Sequence, residues 1–398
     1  MGVNHHEIKV NRSAQVDQQQ EVVAALRESK YKKILLNEPN IQYIQGRASF
    51  LDKHTIEIVG LKEEKSSLHF DRALIASGAS PSAPPVEGLS QTPYWTSTEA
   101  LIAKKLPAHL IVLGGSVIGL ELGQAFLHEG IKVTVIDIMS LLPREDPLIG
   151  EAMQTILKQE GMRIITHADI QSVAFENDRF NVQLKDEVVT GDQLLVATGR
   201  MPNTGNLNLS KIGVETDARG AVIVDKGLLT TCDTIYAAGD CTQQPQFVYV
   251  AAAAGTRAAI NMMGGKQLLD LSAMPAVVFT DPQVATVGMT EQQAKDKGIE
   301  TESRLLTLDN VPRALANLDT RGFIKLVADK STNELLGAQI VATDASEIIQ
   351  IAALALQQGL SVSELSQQMF PYLTMAEGIK LCAQTFFQDV KKLSCCAG

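Results

Sequence analysis

Two adjacent cysteines near the end of the chain are the residues whose type and spacing suggest chemistry most directly. Cys395 and Cys396 lie in a tail of small residues. Neighbouring Cα atoms are about 3.8 Å apart, whereas a relaxed disulphide spans about 4.4–6.8 Å, so a bridge between them is disfavoured. Two adjacent thiolates instead suit a soft metal ion such as mercury, copper or zinc. The alternative is a frayed terminus that merely contains two cysteines.

A glycine-rich turn forms a second candidate site. It follows an apolar strand predicted over 110–113, opens a helix predicted over 117–129 and leads to a second strand over 132–136. In this context backbone N–H groups meet the pyrophosphate of a dinucleotide. Ser116 stands where the fingerprint has its middle glycine. The candidate cofactor-binding residues of the turn are Gly114, Gly115, Ser116, Ile118 and Gly119.

The acidic residue after the second strand indicates which dinucleotide binds. A carboxylate at Asp137 accepts the ribose hydroxyls of NAD and repels the 2′-phosphate of NADP. NADPH remains an alternative, because the guanidinium of Arg144, a little further along the chain, can bind its phosphate. We therefore expect NADH to be preferred.

The chain contains an internal repeat. Residues 71–78 and 192–199 each run from an aspartate through an apolar strand to Ala-Ser-Gly or Ala-Thr-Gly, so that Gly78 and Gly199 occupy equivalent positions. Alternating residues precede each copy, over 43–59 and 163–189, and predict small antiparallel meanders.

The two copies differ in what lies ahead of them. A strand–helix–strand unit precedes the second meander, whereas residues 1–36 predict only one helix, over 18–29. The broken symmetry predicts that the chain begins partway through its first domain.

A further strand end combines small residues with a carboxylate. Residues 234–240 end in Gly239 and Asp240, and an alanine-rich helix is predicted from Val248 to about Met263. The carboxylate can hold a sugar or ribityl hydroxyl, and the helix N-terminus favours negative charge on a ligand. FAD is the natural candidate.

Composition narrows the class of protein. The 398 residues carry 35 Lys and Arg against 45 Asp and Glu, a net charge of −10, which offers no basic surface for nucleic acid. The most apolar stretch, 110–127, includes Glu121 and falls short of a membrane span. Five cysteines, scattered except in the tail, are typical of a reducing compartment and predict a cytoplasmic protein.

These residues resemble those of the FAD-dependent pyridine nucleotide–disulphide oxidoreductases. The likeness rests on the two Ala-Ser/Thr-Gly loops, the turn and helix over 114–123 with Glu121, and the Tyr-Ala-Ala-Gly-Asp segment. Within that family the mercuric reductases are the most similar members, and the resemblance extends from about residue 20 to Gly398. The segments that carry it are 94–101, 246–250, 279–285, 370–374 and 394–398.

The resemblance implies an enzyme that reduces Hg(II) to Hg(0) with NAD(P)H and FAD, for mercury detoxification. In such enzymes a pair of C-terminal cysteines captures Hg(II) and passes it to a redox cysteine pair beside the flavin of the other subunit of a homodimer. Cys395 and Cys396 match the capturing pair, and Tyr31 and Tyr372 match two tyrosines that line the path of the metal.

The sequence departs from the family pattern in several places. It lacks the redox Cys-x4-Cys pair, for which Cys232 and Cys241 cannot substitute, and a lysine that would lie against Glu121. The His…Glu proton-transfer pair of disulphide-reducing relatives is replaced by Phe370 and Met375. The resemblance thus predicts an impaired reductase with a half-built FAD site. The alternatives are a non-catalytic Hg(II)-binding remnant or a dihydrolipoyl- or disulphide-reductase-like enzyme, which would need both missing pairs.

The predicted fold class is α/β, with the two dinucleotide-binding domains of these flavoproteins and a C-terminal α+β dimerisation domain. Towards the C-terminus strands are predicted over 322–328 and 335–341, and helices over 345–357, 362–369 and 375–389. The predicted division is a partial FAD domain at 1–100, an NAD(P) domain at 101–218, a returning FAD segment at 219–270 and dimerisation at 271–398.

Overall fold

Parallel and antiparallel sheets position the candidate residues. The structure, a computed structural model, describes residues 10–392, so Cys395 and Cys396 lie outside the described residues. The strands are β1 Gly46–Asp52, β2 Thr55–Gly60, β3 Lys65–His69, β4 Ala73–Ile75, β5 Ala79–Pro81, β6 His109–Leu113, β7 Lys132–Ile136, β8 Arg163–Ile165, β9 Ile170–Glu176, β10 Arg179–Leu184, β11 Val188–Gly191, β12 Gln193–Val196, β13 Arg200–Pro202, β14 Ile235–Ala237, β15 Ala276–Val278, β16 Gln283–Gly288, β17 Thr301–Thr307, β18 Phe323–Asp329 and β19 Leu335–Ala342.

Helices connect and cover these strands. Among residues 10–392, no helix is both long and apolar enough to cross a membrane. The α-helices are α1 Arg12–Arg27, α2 Lys33–Asn37, α3 Ser97–Ile102, α4 Val117–His128, α5 Pro147–Gln159, α6 Val248–Met262, α7 Glu291–Asp296, α8 Pro312–Asn317, α9 Ala345–Gln357, α10 Val362–Gln367 and α11 Glu377–Gln384.

The described residues divide into two compact units. The first unit contains residues 10–83, 101–105 and 199–270, and the second contains 84–100, 106–198 and 271–392. The division of the sequence into four functional segments stays a prediction.

A parallel sheet in the second unit carries the glycine turn. Its strand order is β12-β6-β7-β8, with every neighbouring pair parallel. All five residues of β6 are buried, which explains why residues 110–113 are an uninterrupted apolar run rather than an alternating one. The predicted strand–helix–strand unit is therefore confirmed, with α4 ending at His128.

The second meander begins later than the sequence predicted. We expected one antiparallel unit over 163–189, but β8 pairs in parallel with β7 and completes the parallel sheet. The meander consists of β9, β10 and β11. Residues 163–165 are a short strand that follows α5, and the right-handed crossover places such a strand beside its predecessor. The first meander comprises β1, β2 and β3, so it extends past the predicted end at residue 59.

The C-terminal part of the second unit is an antiparallel sheet covered by helices. The strand order is β15-β16-β19-β18-β17. The strands predicted over 322–328 and 335–341 correspond to β18 and β19, and α9 has the predicted bounds. The last predicted helix is shorter than expected, because α11 ends at Gln384 rather than Asp389. A core of aliphatic side chains from β16, β18, β19, α9 and α11 joins these elements.

The first unit combines small sheets. The β1-β2-β3 meander, the parallel pair β4-β14 and the antiparallel pair β5-β13 surround a core that includes Phe50, Ile75 and Ile235. The helix predicted over 18–29 begins earlier, at Arg12, because the Asn11 side chain accepts a hydrogen bond from the Ala14 N–H and caps it. A π-helical turn, Glu28–Lys32, joins α1 to α2.

A buried histidine makes the stability of the second unit depend on pH. His109 at the start of β6 lies 2.8 Å from the Thr134 hydroxyl, and burial, followed by the nearby Lys132 charge, lowers its pKa. On acidification, His109 therefore binds a proton at a higher pH in the unfolded chain than in the folded chain. We expect the free energy of unfolding to fall as pH drops below about 6.5, by at most about 1.4 kcal/mol per pH unit.

The measurement is urea denaturation at several pH values, with the His109→Gln variant compared with unsubstituted protein. His54→Gln, which changes an exposed histidine, is the control. The explanation is wrong if His109→Gln leaves the pH dependence as steep as before.

Candidate functional site

The glycine turn of the second unit closes by backbone contacts that exclude side chains. Gly114 has φ +112°, and a Cβ atom there would lie 2.4 Å from the Ala197 carbonyl oxygen. A Cβ atom at Gly119 would lie 1.9 Å from the Gly114 carbonyl oxygen. Both contacts are far shorter than real Cβ atoms make, so glycine is required at each position. The turn therefore brings the end of β6 against the first turn of α4.

The first N–H groups of α4 are available to an anion. Ser116 is the N-cap residue, and its side chain makes no capping hydrogen bond. Ser116 and Ile118 are half-buried, whereas Gly119 is buried against the turn. An uncapped helix start next to a glycine turn is the arrangement that binds pyrophosphate in dinucleotide-binding folds.

Asp137 lies at the end of β7 and is bonded to the turn itself. Its Oδ2 atom accepts the Gly115 N–H, and its Oδ1 atom accepts the Met139 N–H at 2.7 Å. The half-buried carboxylate thus fixes the turn and the loop after β7 together. A carboxylate oxygen has more than one acceptor direction, so these bonds still leave room for a ribose hydroxyl.

Two polar residues of α4 hold the segment before β16. Glu121 Oε1 accepts the Phe279 N–H at 2.7 Å, and burial raises the pKa of the Glu121 carboxyl. Gln124 pairs with the backbone of Asp281 in both directions, accepting its N–H at 2.8 Å and donating to its carbonyl at 2.6 Å. Sequence analysis gave Glu121 a functional role only through the resemblance and gave none to Gln124. The available signal was an amide on the buried face of an otherwise apolar helix.

The first unit brings together another pair of strand ends. β4 and β14 run in parallel, and they lead to Gly78, with φ +69°, and to Gly239, with φ +80°. Asp240 follows, 27% exposed at its side chain, with its Oδ2 atom 3.9 Å from Arg200 Nε. This separation makes a loose ion pair. The Asp240 carboxylate therefore retains acceptor capacity for a hydroxyl group.

The start of α6 in the first unit is also uncapped. Phe247 is the N-cap residue and supplies no side-chain hydrogen bond, while Val248 is largely exposed. The first N–H groups of this helix are thus available to a carbonyl or anionic group of a ligand. Gly199, with φ +138°, accepts the Ser82 N–H through its carbonyl and leads into β13.

The two candidate tyrosines are both exposed. Tyr31 is 65% exposed on the π-helical turn, and Tyr372 is 58% exposed in the segment before α11. Buried Glu377 accepts the N–H of Leu373, whose φ is +62°, at 3.3 Å and so supports the turn that carries Tyr372. Sequence analysis missed Glu377, because an acid in the first turn of a helix usually faces solvent.

The three described cysteines are buried in the packing. Cys232 and Cys241 lie in the core of the first unit, and Cys382 lies in the core of the C-terminal sheet and helices. Burial raises the pKa of the Cys382 thiol to about 12. A thiol of this kind is inert at neutral pH. Among residues 10–392, no group of three or more metal-binding side chains could hold an ion. The predicted metal ligands Cys395 and Cys396 lie outside that range.

Comparisons with known proteins agree with this architecture. Residues 4–255 match the family model described as pyridine nucleotide-disulphide oxidoreductase, and residues 274–383 match its dimerisation domain. The chain is 54% identical to the mercuric reductase of Acidithiobacillus ferrooxidans over 389 residues, 98% of this chain and 71% of that protein. It is also 54% identical to the mercuric reductase of Shigella flexneri, over 98% of this chain and 70% of that protein.

A solved structure shows the same fold. The HOCl-induced flavoprotein disulfide reductase RclA from Escherichia coli superposes with a TM-score of 0.87 at 34% identity, over 94% of this chain and 86% of RclA.

The steric requirement at the glycine turn can be tested within one helix. Gly119→Ala forces a Cβ atom against the Gly114 carbonyl, whereas Gly123→Ala, one turn later, meets only side chains at an ordinary 3.7 Å. We expect Gly119→Ala to lower the free energy of unfolding by about 1–3 kcal/mol and to weaken NADH binding. Gly123→Ala should be neutral or stabilising, since alanine is the better helix former.

Urea denaturation gives the stabilities, and titration with NADH gives the affinities. Equal losses in the two variants would show that any added methyl group in α4 is harmful. In that case the close approach at Gly119 would not be the cause.

Proposed function

The chain belongs to the pyridine nucleotide–disulphide oxidoreductase family, and from that premise we propose that it is a mercuric reductase-like flavoprotein that reduces Hg(II) to Hg(0) with electrons from NAD(P)H. In this reaction NADH loses a hydride, two electrons pass to Hg(II), and one proton is released. The observation that carries the proposal is 54% identity to mercuric reductases over 98% of the chain. A dithiol-reducing enzyme is not favoured, because Phe370 and Met375 occupy the positions of the proton-transfer pair.

The pyridine nucleotide fits the turn in the second unit. We propose that the pyrophosphate lies against the N–H groups of Ser116 and the start of α4, because the close packing at Gly114 and Gly119 leaves that side of the turn free of side chains. We propose that Asp137 accepts the ribose hydroxyls, and its bond to the Gly115 N–H keeps the turn in shape. NADH is the coenzyme that this carboxylate supports.

Membership of the family also implies FAD, and the described residues fit part of it. In the first unit, Asp240 and the uncapped start of α6 at Val248 suit the ribityl and ring end of a flavin, and Gly78 and Gly239 leave its approach open. Among the described residues of this unit, no glycine turn like that at 114–119 opens a helix to hold the flavin pyrophosphate. When bound, FAD supplies the redox chemistry between hydride donor and metal.

We propose that Hg(II), the substrate, is held by the thiolates of Cys395 and Cys396. Two adjacent sulphur ligands match the softness of the ion, and the buried cysteines of residues 10–392 do not compete for it. Tyr31 and Tyr372 are proposed to line its path, and their exposure supports a role at a surface that the metal reaches.

A homodimer is the proposed assembly. Residues 274–383 match the dimerisation domain of the family, and several large apolar side chains of this region are exposed in the single chain. They include Leu354, Met369 and Tyr372. Burial of such side chains between two copies is the usual driving force for a stable dimer. A cytoplasmic location stays a prediction from cysteine usage.

Coenzyme preference tests the role of Asp137. In Asp137→Ser the charge that repels a 2′-phosphate is lost, while a hydroxyl remains to accept one of the two N–H groups that Asp137 now holds. We expect the affinity for NADPH relative to NADH to rise about tenfold, the value of one hydrogen bond to a charged group. Titrations with both coenzymes measure the ratio, and Asp137→Asn separates the effect of charge from that of shape. An unchanged preference in both variants would contradict the assignment.

The reductase proposal is tested with the purified chain supplemented with FAD. NADH oxidation is followed by absorbance on addition of thiol-buffered Hg(II). We expect slow Hg(II)-dependent loss of NADH, because the redox Cys-x4-Cys pair of the family is missing from this sequence, and we expect this loss to disappear when Cys395 and Cys396 are both replaced by serine. Ser394→Ala, which changes the same tail without removing a thiol, should keep the activity.

A thiol titration of the native protein accompanies this assay. Only two thiols should react quickly, because Cys232, Cys241 and Cys382 are buried, and prior Hg(II) should protect both. Protection of two thiols without loss of NADH would contradict the reductase proposal and leave a protein that only binds Hg(II).

A further inference from the structure

We propose that the C-terminal sheet positions the pyridine-nucleotide site through Lys325 and Thr286, which anchor the loop between β7 and α5. The inference rests on the proposed binding of NADH at the glycine turn. It assigns a positioning role to residues of the segment that matches the dimerisation domain of the family. Its basis is a continuous set of contacts from the sheet to the turn within the second unit.

Lys325 is a buried cation in an apolar strand. The other residues of β18 from Phe323 to Ala328 are buried hydrophobic side chains, whereas Lys325 is 5% exposed. Its Nζ atom lies 2.7 Å from Asp146 Oδ2 and 2.6 Å from Glu291 Oε2. Burial alone would lower the pKa of the Lys325 ammonium, but the hydrogen bonds that it donates to the two carboxylates outweigh burial, and the pKa is raised.

The loop end is fixed to the sheet at two consecutive residues. Asp146, 4% exposed, uses its Oδ1 atom to cap α5 by accepting the Leu148 N–H at 3.0 Å, while its Oδ2 atom receives Lys325. Glu145 Oε2 accepts the Thr286 hydroxyl at 3.1 Å. Thr286 and Lys325 are both register partners of Gln339 on β19, so the two anchoring side chains stand in one row across the sheet.

The other end of the loop is bonded to the glycine turn. The Leu142 N–H donates to the Gly115 carbonyl at 3.0 Å, and the Leu141 side chain packs so closely that a Cβ atom at Gly115 would lie 2.5 Å from it. Asp137 adds its bond to the Gly115 N–H. The loop therefore contacts the turn on one side and the sheet on the other, and a shift of Asp146 moves groups that touch Gly115.

A buried ion pair in this position is better explained by positioning than by stability. Hydrophobic side chains of similar volume often stabilise a core as well as an ion pair does, whereas removal of one partner leaves an uncompensated charge. The pair specifies a single arrangement of Asp146, and thereby of the loop, because the carboxylate must lie where it can bind the Lys325 ammonium. Exposed Arg144 lies in the same loop, so the anchor also bears on the choice between NADH and NADPH.

NADH binding to the intact protein tests the inference without requiring turnover. Trp95, the single tryptophan of the chain, pairs with β12 and has its ring 6.3 Å from that of Phe126 on α4, so energy transfer from it to NADH reports binding in the second unit. We expect Lys325→Met to raise the Kd for NADH about three- to tenfold and to change the ratio of the NADPH and NADH affinities. Thr286→Val, which removes only the hydroxyl bonded to Glu145, should act in the same direction with a smaller effect.

Two controls separate positioning from general damage. Lys330→Met removes a cation at the end of the same hairpin that pairs with Glu300 in solvent, at 3.4 Å, and should leave the Kd unchanged. Leu381→Ala lowers the Tm by opening a cavity in the C-terminal core, away from the loop, and should also leave the Kd unchanged.

The outcomes are distinguishable. An unchanged Kd in folded Lys325→Met, or a Kd that rises equally in Leu381→Ala, overturns the inference. If Lys325→Met does not fold, the Thr286→Val variant decides in the same way. Failure of the unsubstituted protein to bind NADH would instead overturn the proposed nucleotide site, and the positioning role with it.

Discussion

The architecture of the second unit depends on a steric constraint in its glycine turn. The Gly114 carbonyl occupies the space that a side chain at residue 119 would need, and the Ala197 carbonyl occupies the space beside Gly114. These contacts let β6, β12 and α4 approach one another through backbone alone. The N–H groups at the start of α4 have no side-chain cap, and an anionic ligand is their natural partner. The loop after β7 is bonded to this turn at Leu142, and Asp146 at the other end of the loop is bonded to the C-terminal sheet.

The helices and strands were predictable from the sequence wherever one physical signal dominated. The apolar run of β6 and the glycines after it predicted the strand–helix–strand unit, and the 3.6-residue periodicity of α9 gave its bounds. Residues 163–165 were misassigned because three residues are too few for alternation to distinguish an antiparallel strand from a parallel one. The start of α1 was missed because a cap at Asn11 extends the helix into a polar stretch with no periodicity.

Local sequence patterns did not reveal the roles of buried polar side chains whose hydrogen-bond partners lie in other elements. Gln124, Glu377 and Lys325 are buried, and their partners are far away in the sequence or in turns with unusual backbone angles. A sequence shows only that a polar residue interrupts an apolar face. It does not show which distant group satisfies that residue, and an unsatisfied group there would cost about 1–3 kcal/mol. The glycine turn and Asp137 were predictable because they belong to one continuous strand–turn–helix–strand pattern in the sequence.

The burial of Cys382 has a consequence for where a thiophilic metal ion can bind in this protein. Its Sγ atom is 3.5 Å from the Arg304 carbonyl oxygen and 3.4 Å from the Ile324 carbonyl oxygen, in a site with no exposed surface, where the thiol stays protonated. A protonated, enclosed sulphur is a poor ligand. At neutral pH the Cys382 thiol therefore offers a thiophilic metal ion no ligand inside the C-terminal core.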